Sequence, residues 1–164
     1  MPKQEFKIVR EFKAPRDIVF DAFAEAEALA QWWGPTGMSL SIVKLNFKPQ
    51  GYFHYKMEGN DAVMWGVFKY GEIRRPDLIE FINSFSDEKG NICRAPFSPV
   101  WPLEIYNKLT LTEHNGTTTL TLAGYPINST EEEDKMYYSF MDNMQQGFKG
   151  TFDQLDAYLS KIQQ

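Results

Sequence analysis

Phe6, Ile8, Arg10 and Phe12 alternate with Lys7, Val9, Glu11 and Lys13, a period of two that predicts a strand with one mainly apolar face. Pro15 suits a first helical position, Asp17 places an acid in the first turn, and Ile18, Val19, Ala22 and Phe23 form a stripe at helical spacing. A short helix is predicted there, and a second behind it. In the second, Leu29, Trp32 and Trp33 fall at i, i+3 and i+4 before Gly34-Pro35 denies another turn. From Ser39 the period of two returns for about eighty residues. Lys48-Pro49-Gln50-Gly51, Gly59-Asn60-Asp61, Arg75-Pro76-Asp77 and His114-Asn115-Gly116 punctuate it as turns, so six strands fit.

The last two strands are the cleanest. Leu109, Leu111, Leu120 and Leu122 alternate with Thr110, Thr112, Thr119 and Thr121 around Asn115-Gly116, which predicts a hairpin with one wet face. Residues 87–102, between the fifth and sixth strands of the chain, hold Pro96, Pro99 and Pro102 beside Phe97 and Trp101. That loop is long and apolar for a connector, and reads either as a cover over one end of the sheet or as a lid.

The final segment opens on Ser129 and Glu132 at capping-box spacing, with Glu133 and Asp134 adding negative charge at the positive end of a helix. Tyr137, Phe140, Met141, Met144, Phe148, Phe152, Leu155, Leu159 and Ile162 then advance by threes and fours. One uninterrupted stripe of about 33 residues, roughly 50 Å, is predicted. Only a wide surface could cover it, and a curved antiparallel sheet provides one. The expected architecture is therefore one α+β domain over 1–164: strand, two short helices, six strands, long helix.

Composition adds three constraints. Thirteen Phe and eight Tyr bring aromatics to 15%, so bulky flat side chains must line something. A net charge of −5, with Arg74-Arg75 as the nearest basic cluster, argues against a nucleic-acid partner. The lone Cys93 requires no oxidising compartment, the residues ahead of the first strand form no apolar run of signal-peptide length, and no segment is long and apolar enough for membrane insertion. The expectation is a cytoplasmic, soluble protein, monomer or homodimer.

Chemistry-bearing groups are sparse. His54, His114 and Cys93 form no ligand or triad motif, so no metal, no cofactor and no catalytic residue is expected. His114 falls in the hairpin turn, and His54 alternates with Phe53 and Tyr55 onto the face opposite the apolar one. Glu72 and Glu80 are the acids to watch for proton transfer, although Gly71 marks a bulge that obscures the face of Glu72. More informative are polar residues among apolar neighbours. Ile79, Phe81, Asn83 and Phe85 share one strand face, and Leu103, Ile105, Asn107 and Leu109 another, which turns both amides inward. A buried amide must be hydrogen-bonded, by the protein itself or by a ligand. Phe53, Tyr55 and Met57 face the same way, and Met141 and Met144 meet them from the long helix as adaptable apolar groups. Gly147 and Gly150 on that helix allow a close approach or a bend.

Ala14-Pro15, Val19-Phe20, Gln31-Trp32-Trp33-Gly34-Pro35, Pro49-Gln50-Gly51-Tyr52-Phe53, Gly71-Glu72-Ile73, Pro76-Asp77-Leu78 and Gly147-Phe148 together resemble the SRPBCC or START-like superfamily. Within it the chain is similar to single-domain homologues of the C-terminal domain of the heat-shock-protein-90 ATPase activator. Gln50 and Phe148 depart from the usual Gly and Trp. The resemblance implies a helix-grip fold, with a sheet wrapped around the C-terminal helix and a cavity between them. It implies no single function, since members of the superfamily bind lipids, hormones or polyketides and some act as cyclases. Together with the aromatic excess, the inward amides and the Met-bearing helix, it makes a binding protein for a small hydrophobic molecule, of lipid, polyketide or aromatic-metabolite class, the expectation. The alternatives it carries are a chaperone-associated interaction module and a cyclase or hydrolase using Tyr55, Glu72 or Glu80. The candidate cavity lining is Trp33, Phe53, Tyr55, Met57, Phe81, Asn83, Ile105, Asn107, Met141, Met144 and Phe148. Trp32 and Trp33 are expected to close the second helix against one end of the grip, near Phe97 and Trp101.

Overall fold

The computed structural model describes residues 5–163. Met1 to Gln4, which bear the expectation of no leader, lie outside them. Seven antiparallel strands form one sheet: β1 (Phe6–Phe12), β2 (Ser39–Leu45), β3 (Tyr52–Gly59), β4 (Ala62–Arg74), β5 (Leu78–Ser86), β6 (Glu104–His114) and β7 (Thr117–Ile127). Their order is β1-β7-β6-β5-β4-β3-β2, so the first two strands of the chain lie at opposite edges. The excursion between them is made by α1 (Arg16–Ala24) and α2 (Ala26–Trp32).

The β6–β7 hairpin pairs Leu109 with Leu122 and Leu111 with Leu120, all four buried. Asn115 and Gly116 both take positive φ, as the two-residue turn that matches strand twist requires. Gly71 does sit in a bulge, since the β4–β5 register shifts between Tyr70 and Ile73.

The C-terminal stripe is not one helix. α3 (Glu131–Ser139) stops, Phe140 sits at φ −100°, ψ 11°, and α4 (Met141–Ile162) starts again. The capping box also lies one residue later than its spacing suggested. Thr130 caps α3, accepting from the Glu133 amide at 3.1 Å while Glu133 Oε1 accepts from the Thr130 amide at 2.9 Å. The apolar period runs through the break unchanged, which hides it from the sequence.

α4 crosses the inner face of the sheet and covers the β1 edge. Gln145 donates to the Lys7 carbonyl at 2.7 Å, Gln163 to that of Lys13 at 3.1 Å, and Arg10 pairs with Asp153 at 2.6 Å. An edge strand that would otherwise offer free backbone groups is thereby occupied. α4 also takes up the carbonyls that α2 leaves open. Gln154 donates to the carbonyls of Trp32 and Gly34, and Thr151 to that of Gly34. Gly34, at φ +112°, supplies the turn that no other residue adopts cheaply.

Candidate functional site

A cavity of about 610 Å³ opens between the inner face of β3 to β6, the N-terminal half of α4, the Trp33-Gly34-Pro35 turn and the end of the 87–102 loop. Its inner residues, Tyr55, Phe81, Asn107 and Ile105, are buried, whereas Pro35, Phe97, Asn143 and Gly147 are exposed and mark its mouth. None of its lining residues is Asp, Glu, Lys, Arg or His. The walls are mainly aromatic, with Trp33, Trp101, Phe85, Tyr137 and Phe148 among them.

Nine of the expected lining residues meet at this cavity: Trp33, Tyr55, Met57, Phe81, Asn83, Ile105, Asn107, Met144 and Phe148. Phe53 and Met141 do not. Phe53 faces the right way but lies deeper, fully buried between the rings of Tyr55 at 4.7 Å and Phe68 at 5.1 Å. Met141 begins α4 just after the break and packs into the cluster of Phe6, Trp101 and Tyr137. A period of two or 3.6 gives a face and no depth, which accounts for both errors. The lining also takes in Phe6, Trp65, Gly66, Tyr137, Phe140, Asn143 and Thr151, which the sequence did not single out for it. Alternation did mark Phe85, and the long loop did mark Phe97 and Trp101. Leu103, grouped with Ile105 and Asn107 by alternation, precedes β6 and is exposed.

The adjacent tryptophans divide between core and cavity. Trp32 is fully buried, donates from Nε1 to the Ala22 carbonyl at 3.0 Å, and meets Phe23 edge-on at 4.8 Å. Trp33, one residue past the end of α2, turns to the cavity and meets Phe68 edge-on at 5.2 Å.

Among the polar groups of the lining are the amides of Asn83 and Asn107 and the phenol of Tyr55. Asn83 Nδ2 donates to Tyr55 Oη at 3.2 Å and to the Val67 carbonyl at 3.4 Å, and Asn107 Nδ2 donates to the Ile105 carbonyl at 3.1 Å. Burial pushes the Tyr55 hydroxyl above its usual range, with hydrogen bonds from Asn83 and Trp33 pulling the other way. Burial likewise raises Tyr137. Both phenols therefore keep their protons at neutral pH.

The carboxylates expected as proton-transfer candidates lie elsewhere. Glu80 accepts from the Tyr106 hydroxyl, raising the phenol, for which burial is the larger cause, and Glu72 pairs with Arg74 at 3.1 Å. Neither lines the cavity, so Tyr55 has no carboxylate there to exchange a proton with. His54 does point away from the cavity side, yet it is buried rather than wet. Its ring lies 5.7 Å from that of Trp65 and its Nε2 is 3.3 Å from the Asp87 carbonyl, so the base of the long loop covers it. His114 is exposed in its turn, and among the described residues no group of three or more His, Cys, Asp or Glu is placed to hold a metal.

The loop that bears Phe97 and Trp101 is held at both ends. Asp87 accepts from the amides of Lys89 and Asn91 at 2.9 Å, while Arg94 bridges the Trp101 carbonyl and Glu133 of the α3 cap. Phe97 and Trp101 then pack on Phe140, the residue at the α3–α4 break, at 6.1 and 5.6 Å.

Residues 13–160 match the model of the family described as Activator of Hsp90 ATPase homolog 1-like protein. The chain belongs to that family. Among solved structures it is similar to protein Ms6760 from Mycobacterium smegmatis, at 26% identity and TM-score 0.77 over 94% of this chain and 90% of that one. It is similar as well to a protein from Arthrobacter aurescens, at 28% identity and TM-score 0.79 over 96% and 86%. A Staphylococcus epidermidis protein at 23% identity and TM-score 0.79, over 99% and 93%, shares the fold. No curated protein matches. The family and the wrapped sheet are those of the SRPBCC or START-like superfamily and its helix-grip fold. No helix among the described residues is long and apolar enough to cross a membrane.

Proposed function

We propose that this member of the family binds a small, uncharged, hydrophobic molecule between the sheet and α4. The observation that carries this reading is a space of about 610 Å³ whose lining contains many aromatic rings and no Asp, Glu, Lys, Arg or His. Ligand sites are mostly apolar hollows of a few hundred Å³ with a few placed polar groups, and Tyr55, Asn83 and Asn107 are such groups here. A charged ligand would lose its hydration with no countercharge to replace it. The cavity residues come from distant parts of the chain, so binding needs the whole fold.

Thermal-shift screening and native mass spectrometry against neutral lipids, polyketides and aromatic metabolites test the reading. Stabilisation that rises with ligand concentration is the expected result. Failure of every class, together with solvent-accessible cavity residues by hydrogen exchange, sinks it. The absence of a carboxylate or histidine in the lining favours binding over cyclase or hydrolase chemistry.

The family match favours a second reading, an interaction module of a chaperone. It is tested by stimulation of the chaperone's ATPase with purified protein, and no stimulation at micromolar concentration removes it.

A further inference from the structure

Two of the polar groups in the cavity stand opposite glycines. Tyr55 pairs across the β3–β4 ladder with Gly66, and Asn107 across β6–β7 with Gly124. A Cβ at residue 66 would lie 2.5 Å from both Cζ and Oη of Tyr55, and one at residue 124 would lie 2.7 Å from Asn107 Oδ1. Neither glycine has a left-handed φ, so these positions demand space rather than conformational freedom. The missing side chain at 66 lets the Tyr55 ring fold across the neighbouring strand and brings its hydroxyl to the cavity floor.

The hydrogen bonds there have a direction. Asn83 uses one N–H on Tyr55 Oη and the other on the Val67 carbonyl, and that carbonyl fixes which end of the amide is the donor. The Tyr55 oxygen therefore accepts. Among the described residues no hydrogen bond takes the Tyr55 proton, and none reaches Asn83 Oδ1. A buried donor and a neighbouring acceptor thus face the same hollow, and burial keeps the phenol protonated.

The geometry points to an uncharged, ring-bearing ligand whose carbonyl or ether oxygen accepts a hydrogen bond from Tyr55, with Gly66 as the residue that positions the hydroxyl. This deepens the proposed binding function and rests on it. Aromatic walls select for rings, Tyr55 selects for an oxygen acceptor, and the absence of charge rejects anions.

Three probes on one skeleton separate these elements: 9-fluorenone, fluorene, which lacks the carbonyl, and the anion 9-fluorenone-4-carboxylate. Their affinities are measured with the full chain by quenching of tryptophan fluorescence, since Trp33 and Trp101 line the cavity. The wild type is expected to bind 9-fluorenone roughly five- to tenfold more tightly than fluorene, the worth of one hydrogen bond in a dry site. Tyr55→Phe removes that preference, so that the two neutral probes bind with equal affinity. Gly66→Ala, which drives the ring aside, removes it too, whereas Tyr106→Phe, a hydroxyl outside the cavity, retains it. Thermal unfolding shows that each variant is folded, and if Gly66→Ala is not, Tyr55→Phe decides alone.

Equal binding of both neutral probes by the wild type, or a preference that survives Tyr55→Phe, overturns the anchor while leaving the cavity as a binding site. Binding of the carboxylate as tight as that of 9-fluorenone overturns the selection for uncharged ligands. Binding of none of the three, with no neutral lipid, polyketide or aromatic metabolite stabilising the protein, removes the anchor and the binding function together.

Discussion

The two halves of α4 carry the same apolar stripe and meet opposite surroundings. Toward the C-terminus, Phe152, Leu155 and Leu159 are no more than 2% exposed, and Phe152 is enclosed by Phe12 at 6.2 Å and Trp32 at 6.5 Å. Toward the N-terminus, Met144 and Phe148 are only partly buried and border the cavity, with Asn143 and Gly147 open to solvent. α1 and α2 close the first half through Trp32 and the Gln154 and Thr151 hydrogen bonds, whereas α3 and the 87–102 loop arch over the second. A stripe of apolar residues thus specifies a surface that must be covered, and the partner decides whether the cover is flush or hollow.

Substitution of the neighbouring tryptophans gives the widest expected separation between the two regions. Trp32→Ala leaves a void in the closed half and should cost about 3–5 kcal/mol in urea unfolding. Trp33→Ala, at the cavity wall, should cost less than half of that and abolish binding of neutral aromatic probes. Equal losses of stability would break the contrast between core and cavity.

The hollow half depends on its cap. Thr130→Ala removes the α3 N-cap and should cost about 1 kcal/mol, with hydrogen exchange faster across 131–140 and 94–101 but unchanged around Phe152. A uniform rise along α4 would show that the halves are one unit. The same element predicts a pH response. The backbone hydrogen bond from Thr130, then the Arg94 hydrogen bond, lower the Glu133 pKa below its ordinary 4.5. Its folded-state pKa being depressed, the stabilisation is complete above the unfolded value and is lost as pH falls below about 4.5 through the folded value. Glu133→Gln should flatten that stretch of the stability curve, measured by unfolding at stepped pH, and an unchanged curve would remove Glu133 from the stabilising contacts of the α3 cap.

The smallest effect is expected outside the cavity. Glu80→Gln keeps an oxygen for the Tyr106 hydroxyl and should alter stability by roughly 0.5 kcal/mol and ligand affinity not at all. A large loss of binding would bring that carboxylate into function after all.

Strands were legible where two signals agreed. In β6–β7 the Leu/Thr alternation and the Asn115-Gly116 turn point to one register, and the leucines pair across it. The inward turn of Asn83 and Asn107 was likewise readable from their apolar neighbours. The break at Phe140 was not, because Tyr137, Phe140, Met141 and Met144 maintain the helical period through it, while Phe140 packs on two rings from a distant loop. His54 showed the same gap: alternation assigned its side, but only the folded 87–91 turn buries it.

The sequence by itself determined which residues face inward, where the chain turns and that a wide sheet must receive the C-terminal stripe, because these follow from periods of two and 3.6 and from local backbone preference. Only the tertiary structure decided depth: that Phe53 is core while Tyr55 is cavity floor, that Trp32 is sealed while Trp33 is wall, and that Gly66 makes room for a phenol. Depth depends on what the opposing surface brings within van der Waals reach, and those contacts join residues that no local period connects.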